Sequence, residues 1–125
     1  MADSNFMWYE LATDDVDGCR SFYTGLLGWE CKPMSMPGIP GDTYHIWESG
    51  GKGIGGMYPK NPGQPTAWLA YVYVDDVDAV AARVPELGGT VTQPVMEVPG
   101  VGPRCFILDP SGAPIALMTP DPQAG

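Results

Sequence analysis

Apolar positions along the chain change their period in the same order in each half. Residues 6–12 and 66–74 read as extended strands. The second holds Trp68, Tyr71, Val72, Tyr73 and Val74, aromatic and β-branched types that suit a pleated, half-buried surface. After each strand the spacing becomes helical. Val16, Cys19, Phe22, Tyr23 and Leu26 recur at intervals of three and four, as do Val77, Val80, Ala81, Val84 and Leu87. Three short strands are predicted after each helix, over 29–33, 43–48 and 53–58, then over 90–93, 104–108 and 114–119. The Pro- and Gly-rich stretches 34–41, 59–65 and 98–103 are predicted loops, with 59–65 linking the halves. Asp109-Pro110-Ser111-Gly112 predicts a tight turn between the last two strands.

The two halves are an internal repeat. Asp14-Asp15-Val16-Asp17 returns in the second half as Asp75-Asp76-Val77-Asp78, and Leu26 and Gly28 meet Leu87 and Gly89 at the same offset. Each acidic tetrad stands where a strand gives way to a helix. There Asp14 or Asp75 can cap the first amides, and the carboxylates that follow complement the positive end of the helix dipole. Gly28 and Gly88-Gly89 supply the stops. The predicted fold class is α+β, two tandem β-α-β-β-β modules over 6–58 and 66–119.

A length of 125 residues fits a single domain, and a hydrophobic fraction of 44% provides a core. The net charge of −9 repels phosphate backbones, so no nucleic-acid partner is expected. No membrane association is expected either, because no apolar run is long enough to span a bilayer. The opening Met1-Ala2-Asp3-Ser4-Asn5 lacks the basic and apolar regions of a secretory signal. Cys19, Cys31 and Cys105 are odd in number and form no CxxC, which suits reduced thiols and a cytoplasmic location. The chain's one histidine, His45, is read as a surface or satisfied core residue.

Phe22-Tyr23-Thr24-Gly25-Leu26-Leu27-Gly28-Trp29 resembles the "FYxxxLGW" helix end of the vicinal oxygen chelate superfamily, which includes glyoxalase I, bleomycin resistance proteins and extradiol dioxygenases. Asp109-Pro110-Ser111-Gly112 followed by Ile115-Ala116-Leu117 resembles its "DPxGxxxxL" final hairpin. The resemblance covers residues 6 to 119 and implies a single glyoxalase-like domain over 1–125. It further implies curved sheets around a shared cup for a small-molecule ligand, helices outside, and a homodimer. The halves of the cup pair either within one chain or across two.

Metal-dependent members of the superfamily hold an ion through one residue on the first and one on the last strand of each half. Aligned on the helix motif, these positions fall on Trp8 and on Gly55 or Gly56, then on Leu69 and Ala116. None offers the imidazole, thiolate or carboxylate that such an ion needs, so no metal and no cofactor are expected. Strand alternation brings Glu10 to the face of Trp8, Tyr71 and Tyr73 to that of Leu69, and Met118 to that of Ala116. Trp47 and Met57 are expected as further lining. Tyr9, Leu11, Trp68, Ala70, Val72 and Val74 point the other way, towards a helix.

A cup of this composition suits an aromatic or cationic organic molecule. Glu10 among aromatic rings can anchor an amine, with Trp8 adding cation–π attraction, or act as a general base. It can equally pair with Arg104 or a lysine, or sit exposed at the rim. Three readings stay open. The first is a metal-independent binding protein of the bleomycin-resistance kind. The second is a cofactor-free lyase, isomerase or hydrolase using Glu10, or a glyoxalase-related enzyme of unknown substrate. The third is an accessory subunit whose cup is vestigial.

Overall fold

The computed structural model describes residues 4–98 and 101–120. In chain order the elements are β1 (Phe6–Thr13), α1 (Val16–Leu27), β2 (Glu30–Ser35), β3 (Thr43–Ser49) and β4 (Lys52–Pro59), then β5 (Ala67–Tyr73), α2 (Val77–Arg83), β6 (Thr90–Val98), β7 (Gly102–Leu108) and β8 (Pro114–Met118). This is the α+β class, β-α-β-β-β twice. In the first module the strand order is β2-β3-β4-β1, with the first two pairings antiparallel and β4–β1 parallel. The second module repeats it as β6-β7-β8-β5, again with only the last pairing parallel.

The chain divides into two compact units, one of Trp8–Leu69 and one of the remaining residues. One boundary falls inside β1, between Met7 and Trp8, and the other inside β5, between Leu69 and Ala70, so the stretch 59–65 lies within the first of these units. That stretch is tied into the first unit: Lys60 N donates to Thr13 O at 2.9 Å, and Gln64 Nε2 donates to the Tyr58 hydroxyl at 2.5 Å.

Both helices start at the first apolar position of the spacing, Val16 and Val77, and the capping acid is one position later than expected. Asp15 Oδ1 accepts from Gly18 N at 3.0 Å and Asp76 Oδ1 from Ala79 N at 3.2 Å. The second and not the first aspartate of each tetrad is the cap, because the N–H three positions on is the one its short side chain reaches. Gly28 closes α1 in the left-handed region at φ 72°. The apolar spacing predicts α2 as far as Leu87, but the α-helix ends at Arg83 and Pro85–Leu87 is a 3-10 turn. Val84 keeps α geometry, but Pro85 has no N–H to continue the ladder. Strand β6 runs past Pro94, beyond the predicted end at residue 93, with two register shifts. It is the outermost strand of its module, where a missing donor is tolerated.

Helix α1 packs Val16, Cys19 and Tyr23 onto Leu11, Trp47 and Met57. In the second module Val77, Ala81 and Val80 pack with Val74, Cys105 and Leu117. A separate cluster of Ala12, Tyr44 and Tyr58, joined by Trp8, Met36, Ile39 and Ile46, contains no α1 residue and marks the other face of the first sheet. The Asp109 turn forms as the sequence predicts. Its Oδ1 accepts from Ser111 N at 2.8 Å, Ser111 Oγ at 2.6 Å and Ala113 N at 3.0 Å. The Ser111 hydroxyl first, then the Ala113 amide, hold this carboxyl below its ordinary pKa.

Candidate functional site

The helix-free face of the first module is built from β1, β3 and β4. Glu10 on β1 pairs with Gly56 on β4, and Gly56 pairs with Ile46 on β3, so these residues share one row across the sheet. Tyr44, on β3, leans over Gly56: a Cβ added at residue 56 would coincide with the phenol oxygen and ring. The hydroxyl thereby crosses β4 and reaches β1. It donates to Glu10 Oε1 at 2.9 Å and accepts from Trp8 Nε1 at 2.9 Å. Glu10 and Tyr44 are buried, at 4% and 6% exposure. Tyr58 stacks beside Tyr44 with ring centroids 6.4 Å apart. The arrangement is a hydrogen-bonded indole, phenol and carboxylate set among apolar side chains.

The second module carries a counterpart. Tyr71 on β5, which matches Glu10 in the repeat, pairs with Ala116 on β8, and Ala116 pairs with Phe106 on β7. Arg104 on β7 crosses Ala116 to donate from Nη1 to the Tyr71 hydroxyl at 2.7 Å. Its guanidinium lies 5.0 Å from the Phe106 centroid, and Tyr71 meets Phe106 edge-on at 6.3 Å. In each module a long side chain crosses a small residue of the last strand to bond a residue of the first.

The structure brings Trp8 and Glu10 together, and Tyr71, Ala116 and Met118 lie on or beside the Arg104 row. Leu69 is half-buried and Tyr73 exposed. Trp47 and Met57 are placed elsewhere. Both are fully buried beneath α1, packed with its residues, so they belong to the helix-side core and not to the lining. The two last-strand glycines have different surroundings: Gly56 pairs with Glu10 and lies against Tyr44, whereas a Cβ at Gly55 would meet the Tyr9 carbonyl and Trp47. Sequence reasoning missed Tyr44, Tyr58 and the setting of Arg104. The one signal for Tyr44 was the glycine pair itself, since consecutive glycines inside a strand mark a close approach.

His45 lies on the helix side, buried at 8% exposure, with Nδ1 3.3 Å from Arg20 Nη2. Burial first, then the Arg20 charge, lower its pKa from the ordinary 6.5. Cys105 is core, and burial raises its thiol pKa. Cys19 and Cys31 are half-buried.

These residues do not fit the divalent ion of the superfamily's metal-dependent members. The Trp8 indole nitrogen donates and cannot ligate, Gly56, Leu69 and Ala116 carry no donor atom, and a phenol fills the space over Gly56. Among the described residues no group of three or more His, Cys, Asp or Glu stands together. No helix among them is long and apolar enough to cross a membrane.

Strand order, helix placement and repeat together define a tandem β-α-β-β-β protein. A model of the Glyoxalase/Bleomycin resistance protein/Dioxygenase superfamily matches residues 5–117, and the chain belongs to that superfamily. A Mycobacterium tuberculosis protein named as a candidate glyoxylase, CFP32, is 36% identical over 114 residues, covering 88% of this chain and 43% of its own. The anthracycline biosynthesis protein DnrV of Streptomyces peucetius is 34% identical over 125 residues, covering 88% of this chain and 45% of its own. The chain thus spans less than half the length of these relatives. The crystal structure of BH1468 from Bacillus halodurans is similar in fold, with TM-score 0.70 at 15% identity over 99% of each chain.

Proposed function

We propose that this chain is a metal-independent, glyoxalase/bleomycin-resistance-like protein that binds a small aromatic or cationic organic molecule. The observation that carries the reading is the Trp8–Tyr44–Glu10 set, built around Trp8 and Gly56, two positions that the family resemblance aligns with metal ligands. A buried carboxylate beside an indole and two stacked tyrosines gives an amine an ionic partner and a cation–π surface. The relative named for anthracycline biosynthesis supports a small organic molecule as the ligand class. Two chains pair as a homodimer in this reading, and a monomer in sedimentation at micromolar concentration counts against that part.

The test uses benzyltrimethylammonium and its uncharged counterpart benzyl alcohol in calorimetric titrations. The cation binds more tightly to the wild type, and Glu10→Gln weakens it by about tenfold or more while changing benzyl alcohol little, the order of effect for one desolvated charge contact. Equal affinity for both compounds, unchanged by the substitution, removes Glu10 from the ligand site. Chemical conversion of a bound compound that stops in Glu10→Gln favours instead a cofactor-free enzyme with Glu10 as general base.

A further inference from the structure

We propose that Tyr44 is the specificity-determining residue of the first module: its phenol occupies the place of a last-strand metal ligand and commits Trp8 and Glu10 to an organic ligand. The inference rests on the reading that this face is the ligand site, and it names the residue that makes the site organic. Gly56 is not among the described glycines with positive φ, so backbone freedom does not account for it. Space does. The tip of the Tyr44 ring lies where any side chain at residue 56 would begin, so a carboxylate there and Tyr44 exclude one another. The phenol is held from two sides, accepting from Trp8 Nε1 at 2.9 Å and donating to Glu10 Oε1 at 2.9 Å.

One consequence follows for a cation. The one carboxylate in the set already accepts a hydrogen bond from the Tyr44 hydroxyl, and that hydroxyl oxygen already accepts one from the Trp8 indole. An organic molecule needs no such vacancy, because it can meet the aromatic rings directly. The second module shows the same device built with different chemistry. There Arg104 crosses Ala116 to Tyr71, and these three stand at or next to the repeat positions of Tyr44, Gly56 and Glu10. A long side chain over a small last-strand residue is thus a repeated feature and not an accident of one loop.

A stability cycle between positions 44 and 56, read by urea unfolding, tests the exclusion without any ligand. Gly56→Ala in the wild type lowers the folding equilibrium constant on the order of ten- to a hundredfold, the range for an overpacked site. In the Tyr44→Ala background the same substitution changes it less than about threefold. Additive effects overturn the proposal. Where Gly56→Ala alone does not fold, recovery of the fold in Tyr44→Ala/Gly56→Ala is the expected result, and failure of both to fold while Tyr44→Ala folds overturns it. Zinc chloride titrated into the wild type supplies the second readout. No saturable site is expected, and one zinc per chain lost on both Tyr44→Phe and Glu10→Gln overturns the proposal. Neither readout depends on small-molecule binding, so a failure of the proposed function leaves both results interpretable.

Discussion

Tyr44→Phe removes one oxygen atom and its hydrogen bonds to Trp8 and Glu10 while leaving the ring and its stack with Tyr58 in place. The bond to Glu10 is buried and its acceptor is a carboxylate, a type worth about 1.5–3 kcal/mol. The bond from the Trp8 indole is only partly buried and neutral, worth about 0.5–1.5 kcal/mol. The two share one hydroxyl and are not independent, so the expected loss is about 2–3 kcal/mol rather than the full sum. For a chain of this length that corresponds to a fall in Tm of roughly 8–12 °C. Urea and thermal unfolding of both proteins at pH 7 measure it. Tyr58→Phe is the control, since the Tyr58 hydroxyl accepts a partly buried bond from the Gln64 amide at the end of a surface loop. It should cost about 1 kcal/mol or less. A Tyr44→Phe loss under about 0.5 kcal/mol, or one equal to that of Tyr58→Phe, would refute the argument that this hydroxyl anchors the site.

Two further substitutions separate the faces of the first sheet. Met57→Ala should cost about 2–5 kcal/mol in urea unfolding, because the side chain is fully buried under α1, yet leave the affinity for benzyltrimethylammonium within about twofold. A binding loss in a protein still folded would return Met57 to the lining. His45 is held neutral by burial, so its folded pKa lies below 6.5. As pH falls through 6.5 the unfolded chain takes up a proton that the folded chain does not, and stability should fall until the lower folded pKa is reached. His45→Gln should flatten that slope between about pH 7.5 and 5.5. A wild-type stability that holds or rises over this interval contradicts the placement.

Much of the fold was legible because each local signal was repeated at one fixed offset. The acidic tetrads occur twice and both cap a helix, whereas the helical spacing and glycine stop hold to Gly28 in the first half and give way to a 3-10 turn before Gly88 in the second. What failed was the choice of face in β3 and β4. Alternation tells which residues share a face but not which face meets the helix, and here both sets are apolar: Tyr44 and Ile46 against Trp47, Tyr58 against Met57. On β1 the motif alignment fixed the side of Trp8, and Glu10 followed. For Tyr44 the only local hint was the Gly55-Gly56 pair, which marks a close approach without saying what approaches. Its role depends on a reach across β4 to Glu10, a contact between distant parts of the sequence that only the strand order brings about.

The most direct test of the account is a titration of benzyltrimethylammonium into protein freed of metal by chelator, with and without one equivalent of zinc, nickel or manganese restored. Saturable binding at one site per module or per chain, unchanged by the metals and weakened in Glu10→Gln, is the result expected. Binding that appears only when a divalent ion is returned would contradict it.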